Sequence, residues 1–563
     1  MATLCCLLGS VHIASHVSVQ NPRRGGRPVK SRYKFRVLLF PLMGTLAACG
    51  GGGDGGGGGS SSSSSGGTGN TTTWQSGVYL PSSNFDAMCV APRAGTSDRA
   101  GTATDQNNWL RSWTHELYLW YSEVTDRDPS LSSTVDYFRV LKTNATTPSG
   151  QAKDKFHFTY DTEVWRSLSQ GGVEAGYGAE FSIFLLNPPN TAPRRIVVAF
   201  TETGFPAAGQ LLRGDEILQV DGVDDVNGGT QANVNVLNAG LFPSATGQTH
   251  TFLVRGTNGT NRTVTMTSTS ITHNPVPIVT TFGTASGQVG YIQFNDHIAT
   301  AETPLMNAIT FLDNANVTDL ILDLRYNGGG YLDLASELAY MIGNTTLTSG
   351  RTFEKIVFND KNPSRNPVTG ETLTPTPFHT RTQGFTGAGP ANVALPTLNL
   401  NSVYIITGPG TCSASESVIN SLRGVGVQVY LIGSTTCGKP YGFYPTDNCG
   451  TTYFTIQFRG ENAANFGDYT DGFSPANTTA TNAGTSVPGC SVADDFNHAL
   501  GDVTEARIAA ALAFRASNNQ ACPTPPSGES DSRVSKASFD TEEDRSLWVS
   551  KPAARLNRIV RKM

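Results

Sequence analysis

Residues 318–324 read Thr-Asp-Leu-Ile-Leu-Asp-Leu, a near-continuous apolar run of the kind that is buried on both faces of a sheet. The run passes at once into Arg325-Tyr326-Asn327-Gly328-Gly329-Gly330, and 332–342 follows as a predicted helix. A buried strand, a glycine turn and a helix in that order form a unit of an α/β fold, and the turn lets backbone N–H groups approach a ligand closely. The pattern recurs. Thr411-Cys412-Ser413-Ala414-Ser415-Glu416 opens a predicted helix over 417–423, the apolar run 425–432 reads as a second buried strand, and Cys437-Gly438-Lys439 comes next. A strand over 289–294 and a helix over 301–314, with Leu305, Ile309 and Leu312 on one face, extend the alternation, so 271–520 reads as an α/β domain.

Neither turn has the spacing of a phosphate-binding loop, since G-x-x-x-x-G-K-[ST] and G-x-G-x-x-G are both missing there. What the second turn offers is a serine at a helix start, where free N–H groups and the positive end of the helix dipole can hold an oxyanion. Serine is a weak nucleophile and needs a base. Lys439, just past the next strand, is the candidate, and the first glycine turn is a second source of oxyanion donors. The chemistry is that of a Ser/Lys hydrolase. It requires no cofactor, and no C-x-x-C pair or histidine cluster suggests zinc.

The N-terminus has the grammar of an export signal. Seven basic residues between Arg23 and Arg36 precede a short apolar core over 37–46, too short to span a bilayer, and Leu46-Ala47-Ala48-Cys49 follows. That ending resembles a bacterial lipobox, which implies a signal peptide over 1–48, lipid modification of Cys49 and a membrane partner reached through the lipid. Residues 50–67 are almost all Gly and Ser, a flexible tether, so 49–72 reads as a lipid-anchored linker in the bacterial cell envelope. With 61 glycines and only 15% charged residues, the composition suits an exported, loop-rich protein. The net charge of -5 gives no electrostatic case for nucleic acid. Of nine cysteines, Cys5 and Cys6 fall in the removed segment and Cys49 takes the lipid. Cys89, Cys412, Cys437, Cys449, Cys490 and Cys522 remain, an even set that reads as disulfides, with Cys437–Cys449 the pair expected across a short loop.

Residues 73–168 read as a helical region. Over 108–124, Leu110, Trp113, Leu117, Trp120 and Tyr121 form one apolar face, and a second helix is expected after a cap at Asp161 or Thr162. His157, between two phenylalanines, reads as a packed histidine. From 169 to 270 the pattern turns to short strands. Gly204-Phe205-Pro206-Ala207-Ala208-Gly209, then Leu212-Arg213-Gly214-Asp215-Glu216, then Leu218-Gln219-Val220-Asp221-Gly222 resemble the PDZ signature of a small-residue helix, a turn and a strand. The resemblance implies capture of an extended peptide by strand addition, its carboxylate held by the loop Gly176-Tyr177-Gly178-Ala179.

Asp323-Leu324-Arg325-Tyr326-Asn327-Gly328-Gly329, Thr411-Cys412-Ser413-Ala414-Ser415-Glu416 and Gly433-Ser434-Thr435-Thr436-Cys437-Gly438-Lys439, in that order after a PDZ-like region, resemble the signature blocks of the C-terminal processing (tail-specific) peptidases. The resemblance implies a multidomain α/β protein with a ClpP/crotonase-like catalytic domain. Ser413 falls on the family's nucleophile and Lys439 on its base, with oxyanion donors at Ala414 and at Gly328 or Gly329. It implies polypeptide substrates, taken at C-termini or in unfolded segments, and no cofactor. The chain departs from the family at Phe443, where a glutamine commonly orients the lysine; Asp447 and Asn448 are the nearest polar substitutes. Two other readings stand beside this one: an inactive, peptide-binding envelope lipoprotein and an acyl-CoA-handling enzyme on a related scaffold. Residues 521–563 read as a polar, unstructured tail, and the oligomeric state is left open.

Overall fold

The computed structural model describes residues 74–526, apart from 187–189, 191, 386–387 and 481–482, together with the backbone of 558–559. The export signal, Cys49 and the Gly/Ser tether lie outside the described residues. No described helix is long and apolar enough to cross a membrane.

The N-terminal region carries α1 (Ala103–Leu117), α2 (Thr134–Val140), β1 (Phe158–Asp161) and α3 (Thr162–Gly171). Thr102 and Asp105 form a capping box at the start of α1, and Asp161 caps α3 by accepting from the N–H groups of Glu163 and Val164. The helix expected over 108–124 ends at Leu117, because Tyr118 turns extended and Leu119 N–H donates to the carbonyl of Ile456. A tertiary hydrogen bond overrides the helical period there. Trp109, Leu110 and Trp113 pack on Tyr453, and β1 pairs antiparallel with the strand Thr451–Phe454, which follows Lys439 in the chain. The N-terminal region is thereby built into the neighbourhood of the candidate site. His157 is buried against Phe138, as expected of a packed histidine.

A second module begins with β2 (Val173–Gly176) and continues through β3 (Ala179–Leu185), β4 (Arg194–Thr201), β5 (Glu216–Val220), α4 (Gln231–Leu241), β6 (Thr249–Arg255), β7 (Asn261–Thr267) and β8 (Thr269–Thr272). Its antiparallel sheet runs β7-β6-β5-β4-β3, with Val223–Asp224 added to β5. Thr230 caps α4, which lays Val234, Leu237 and Leu241 on that sheet at helical spacing. Residues 204–209 form turns, not the expected small-residue helix; the backbone folds back tightly enough for Ala208 to bridge Leu211. The first and last strands of the module, β2 and β8, pair with each other antiparallel.

The third part is a six-stranded sheet in the order β9 (Ile278–Thr284), β10 (Gly287–Gln293), β11 (Val317–Asp323), β12 (Ser402–Thr407), β13 (Gln428–Gly433) and β14 (Gly489–Ser491). Only β9 runs antiparallel to its neighbour. Alternation along the strands sorts the two faces. Leu320, Leu322, Val403 and Ile405 face a core shared with α5 (Glu302–Asn314), α6 (Leu332–Ile342) and α7 (Ala414–Gly424). Ile321, Tyr404, Ile406 and Ile432 face α8 (Ala506–Ala516). Helices on both faces explain why these strands read as unbroken apolar runs. In the tail, expected to lack structure, Arg558–Ile559 pairs parallel with Gly330–Tyr331.

Candidate active site

Parallel strands place the loops at their C-terminal ends side by side, and the two glycine- and serine-bearing turns follow β11 and β12, which are neighbours. Hydrogen bonds join them directly. Thr411 Oγ1 donates to the carbonyl of Leu324 at 2.8 Å, and the Cys412 N–H and Ser415 hydroxyl both donate to the carbonyl of Asn327, at 3.1 and 3.0 Å. Ser413 is the residue before α7, with φ 60° and ψ -113°, a backbone region that side-chain-bearing residues rarely enter. It is buried, and its hydroxyl has no hydrogen-bond partner among the described residues. Nor do the N–H groups of Ala414 and Gly328 find an acceptor among them. The Gly329 N–H does: it donates to Asn327 Oδ1 at 2.9 Å, so of the three predicted oxyanion donors this one is already engaged.

Lys439 is fully buried. Its Nζ lies 4.4 Å from the ring centre of Phe443 and 4.8 Å from that of Phe156, which comes from the N-terminal region. The Phe443 that replaces the family's glutamine is thus a wall of the lysine pocket. Asp447 and Asn448 do not orient the lysine. They lie on a hairpin, where Asp447 pairs with Arg166 at 2.8 Å and Asn448 accepts from the N–H of Ala87.

Glu416 connects the serine and the lysine. Its Oε2 accepts from the N–H of Ser413 at 2.9 Å and from the N–H of Lys439 at 2.8 Å; its Oε1 accepts from the Thr436 hydroxyl at 2.5 Å and from the Gly438 N–H at 2.9 Å. One carboxylate oxygen therefore fixes both backbones. Burial raises the Glu416 carboxyl above its ordinary range, and these four bonds oppose the shift. The signal for this residue was in the sequence, as an acid three residues after a helix-capping serine. Its reach to the lysine turn was not.

Two further groups escaped the sequence reading. His297 Nδ1 donates to Asn327 Oδ1 at 3.0 Å, and burial pushes its pKa down to about 4, so the ring holds Asn327 as a neutral imidazole. Lys155 donates to the carbonyl of Cys437 at 3.4 Å, and burial lowers its ammonium below the usual lysine value while Glu416 and Asp471 pull it back up.

The expected disulfide Cys437–Cys449 does not form. Cys437 bonds Cys412, Cys449 bonds Cys89, and Cys490 bonds Cys522. Cys449 sits at the hairpin turn and meets Cys89 of the short strand Met88–Cys89, whereas Cys437 N–H donates to the carbonyl of Thr411, which sets its side chain beside the serine turn. Cys412, Glu416 and Cys437 have donor atoms within 4.8 Å of one another, the spacing of metal ligands. With the two sulfurs bonded together and the carboxylate taken up by four donors, that cluster is a brace and not a ligand set.

The loop Gly176-Tyr177-Gly178-Ala179 lies away from this centre. It lines a cavity of about 400 Å³ with Leu241, Phe242 and His273, and the N–H groups of Tyr177 and Gly178 find no acceptor among the described residues. The module carrying it touches the first glycine turn through Arg213. That guanidinium donates to the Tyr326 hydroxyl at 2.7 Å and to Asp494 at 2.8 Å, and Tyr326 also donates to Asp494.

Residues 288–443, a stretch that includes both turns, Ser413 and Lys439, match the model of Peptidase family S41. Over that stretch the chain is similar to the S41 peptidases. It is 29% identical over 181 residues to the carboxyl-terminal-processing protease of Picosynechococcus sp., a match covering 31% of this chain and 41% of that relative's length. The fold is shared with an S41 protease from Bacteroides fragilis NCTC 9343, at a TM-score of 0.50 and 22% identity over 73% of this chain and 98% of the other.

Proposed function

We propose that the chain is a serine endopeptidase in which Ser413 is the nucleophile and Lys439 the general base. The observation that carries this reading is the single Glu416 oxygen bound by the N–H groups of both residues, which locks the two turns into one site. Neutral Lys439 takes the hydroxyl proton as Ser413 Oγ attacks the scissile carbonyl. Burial strips water from the amine and so favours its neutral form, while the ring faces of Phe443 and Phe156 favour the ammonium and oppose that shift. The oxyanion rests on the N–H groups of Ala414 and Gly328, neither of which has an acceptor among the described residues. Lys439 passes the proton to the leaving amine, and a water molecule, deprotonated by the lysine in turn, releases the acyl-enzyme.

Substrates are polypeptides of the cell envelope, where the lipid on Cys49 holds the enzyme. An extended C-terminus adds to β3 with its carboxylate at the Tyr177 and Gly178 N–H groups, in the manner of a PDZ domain. The test is turnover of an unfolded model protein by wild type beside Ser413→Ala and Lys439→Ala, with folding matched by circular dichroism. Both variants are expected to lose at least ~10³-fold in kcat. Full turnover by Ser413→Ala would mean another nucleophile; equal inactivity of all three would leave a peptide-binding protein.

A further inference from the structure

The serine turn and the lysine turn share one covalent link, the Cys412–Cys437 disulfide. Cys412 immediately precedes Ser413, and Cys437 stands two residues before Lys439. Their Cα atoms are 5.1 Å apart, and the side chains are 0% and 8% exposed. The backbones of the two cysteines spread the link further. Cys412 N–H binds the carbonyl of Asn327 in the glycine turn, and the Cys437 carbonyl takes Lys155 from the N-terminal region. The other two disulfides serve different places. Cys89–Cys449 ties the N-terminal segment to a hairpin, and Cys490–Cys522 ties the last strand of the sheet to the segment after α8.

Ser413 needs such a clamp. A non-glycine residue at φ 60° and ψ -113° is held in a costly conformation, which persists only where the surroundings over-determine it. Glu416 holds its N–H, Ser417 holds its carbonyl through both N–H and hydroxyl, and the disulfide anchors the residue before it. The Cys437 sulfur lies 3.4 Å from Glu416 Oε2, the same oxygen that binds the N–H groups of Ser413 and Lys439. If the S–S bond opens, two thiol donors face that carboxylate and compete with those N–H groups.

We propose that Cys412 and Cys437 are positioning residues whose disulfide latches the dyad: the peptidase turns over with the bond closed and is silenced when a dithiol opens it. The inference rests on the Ser413/Lys439 reading above. In the exchange, a reductant thiolate attacks the less buried sulfur, that of Cys437, and Cys412 leaves as a thiolate that takes up a proton. The second reductant thiol then displaces Cys437, the reductant closes to its own disulfide, and two electrons and two protons have passed to the protein. For a chain with an export signal, the latch keeps the precursor inactive in a thiol-rich cytoplasm and arms it in an oxidising compartment.

The test uses the full chain, oxidised or treated with dithiothreitol and then reoxidised. Three quantities are followed: kcat and KM on an unfolded model protein, labelling of Ser413 by a fluorophosphonate, and alkylation of each cysteine located by mass spectrometry. Reduction is expected to lower kcat and the labelling rate by about 10- to 100-fold with KM within about twofold, in step with alkylation of Cys412 and Cys437, and reoxidation to restore both. The Cys412→Ala/Cys437→Ala variant should show the reduced-form kcat and no response to dithiothreitol. A chain lacking the other two disulfides should keep the response. If the double variant fails to fold, the correlation between alkylation and activity in wild type still decides. Undiminished labelling of the reduced enzyme, or a loss that follows Cys89–Cys449 or Cys490–Cys522, overturns the latch alone. An oxidised wild type that neither turns over nor labels at Ser413 overturns the dyad reading and the latch together.

Discussion

Glu416 is the residue on which the geometry of the proposed Ser413/Lys439 dyad depends most directly. Its carboxylate has four donors directed at it, and a glutamine there would turn an NH2 group toward two of them. Glu416→Gln is therefore expected to lower kcat by about 100-fold, with substrate affinity little changed, since the groups displaced are those that act in the transition state. A matching fall in affinity without loss of kcat would place Glu416 in substrate binding instead. A buried acid pair joins α5 and α6. Glu302 and Glu337 are both buried and both accept from the N–H of Gln383 at 2.8 Å. Burial, then the Glu302 charge, pushes the Glu337 carboxyl from 4.5 up to about 9. A folded-state pKa above the unfolded one means that the native protein holds the extra proton. The contribution of this group to stability is thus full below pH 4.5, declines as the pH rises and is gone by about pH 9. Melting temperatures of wild type should fall by several degrees over that window, and Glu337→Gln should flatten the fall. A variant that tracks wild type at every pH would show that the pair does not titrate in this way.

Among the elements, the turn before β5 and the turn after β11 meet through Arg213, Tyr326 and Asp494. This contact connects the module that carries the Tyr177–Gly178 loop to the first glycine turn, two residues before Gly328. Coupling through such contacts is worth about 0.5–2 kcal/mol, or roughly 2- to 30-fold in rate. Arg213→Ala should reduce kcat/KM on long polypeptides by that factor while leaving fluorophosphonate labelling of Ser413 nearly intact. Equal losses in both assays would mean that the guanidinium only supports the fold. The buried strands and the helices α5, α6 and α7 were legible at this scale, because burial on both faces and amphipathic spacing are written into consecutive residues. Residues 204–209 were misread as a helix because small residues satisfy helical and turn conformations alike. The premature end of α1 depends on a carbonyl 337 positions away in the chain, at Ile456, which no local pattern reports.

At the scale of the whole molecule, β2 and β8 bring the two ends of the second module together, Gly176 opposite Thr269. Residues 177–268 should therefore be removable, with a short linker closing the gap, and leave a folded remainder in which fluorophosphonate still labels Ser413 while C-terminal peptides no longer bind. Retained peptide binding would shift the recognition site off the Tyr177–Gly178 loop. The Cys89–Cys449 bond closes 360 residues, and its loss should cost about 2–5 kcal/mol of stability with kcat unchanged in the folded fraction, in contrast to Cys412–Cys437.

The alternation of buried strands and helices, the two turns at the ends of β11 and β12, and the residue types that could act there were all readable along the chain. Each of these follows from neighbours in the chain: apolar period, glycine at a turn, a serine before a helix. The packing of the chain settled which cysteines pair, that Gly329 donates its N–H to Asn327, that Glu416 binds the N–H groups of both Ser413 and Lys439, and that Phe156 from the N-terminal region lies against Lys439. Most of those contacts join segments tens to hundreds of residues apart; the Gly329 bond spans only two, but Asn327 is held for it by His297, 30 residues upstream. They are set by how the sheet orders its strands and by which faces pack, quantities that local composition does not encode.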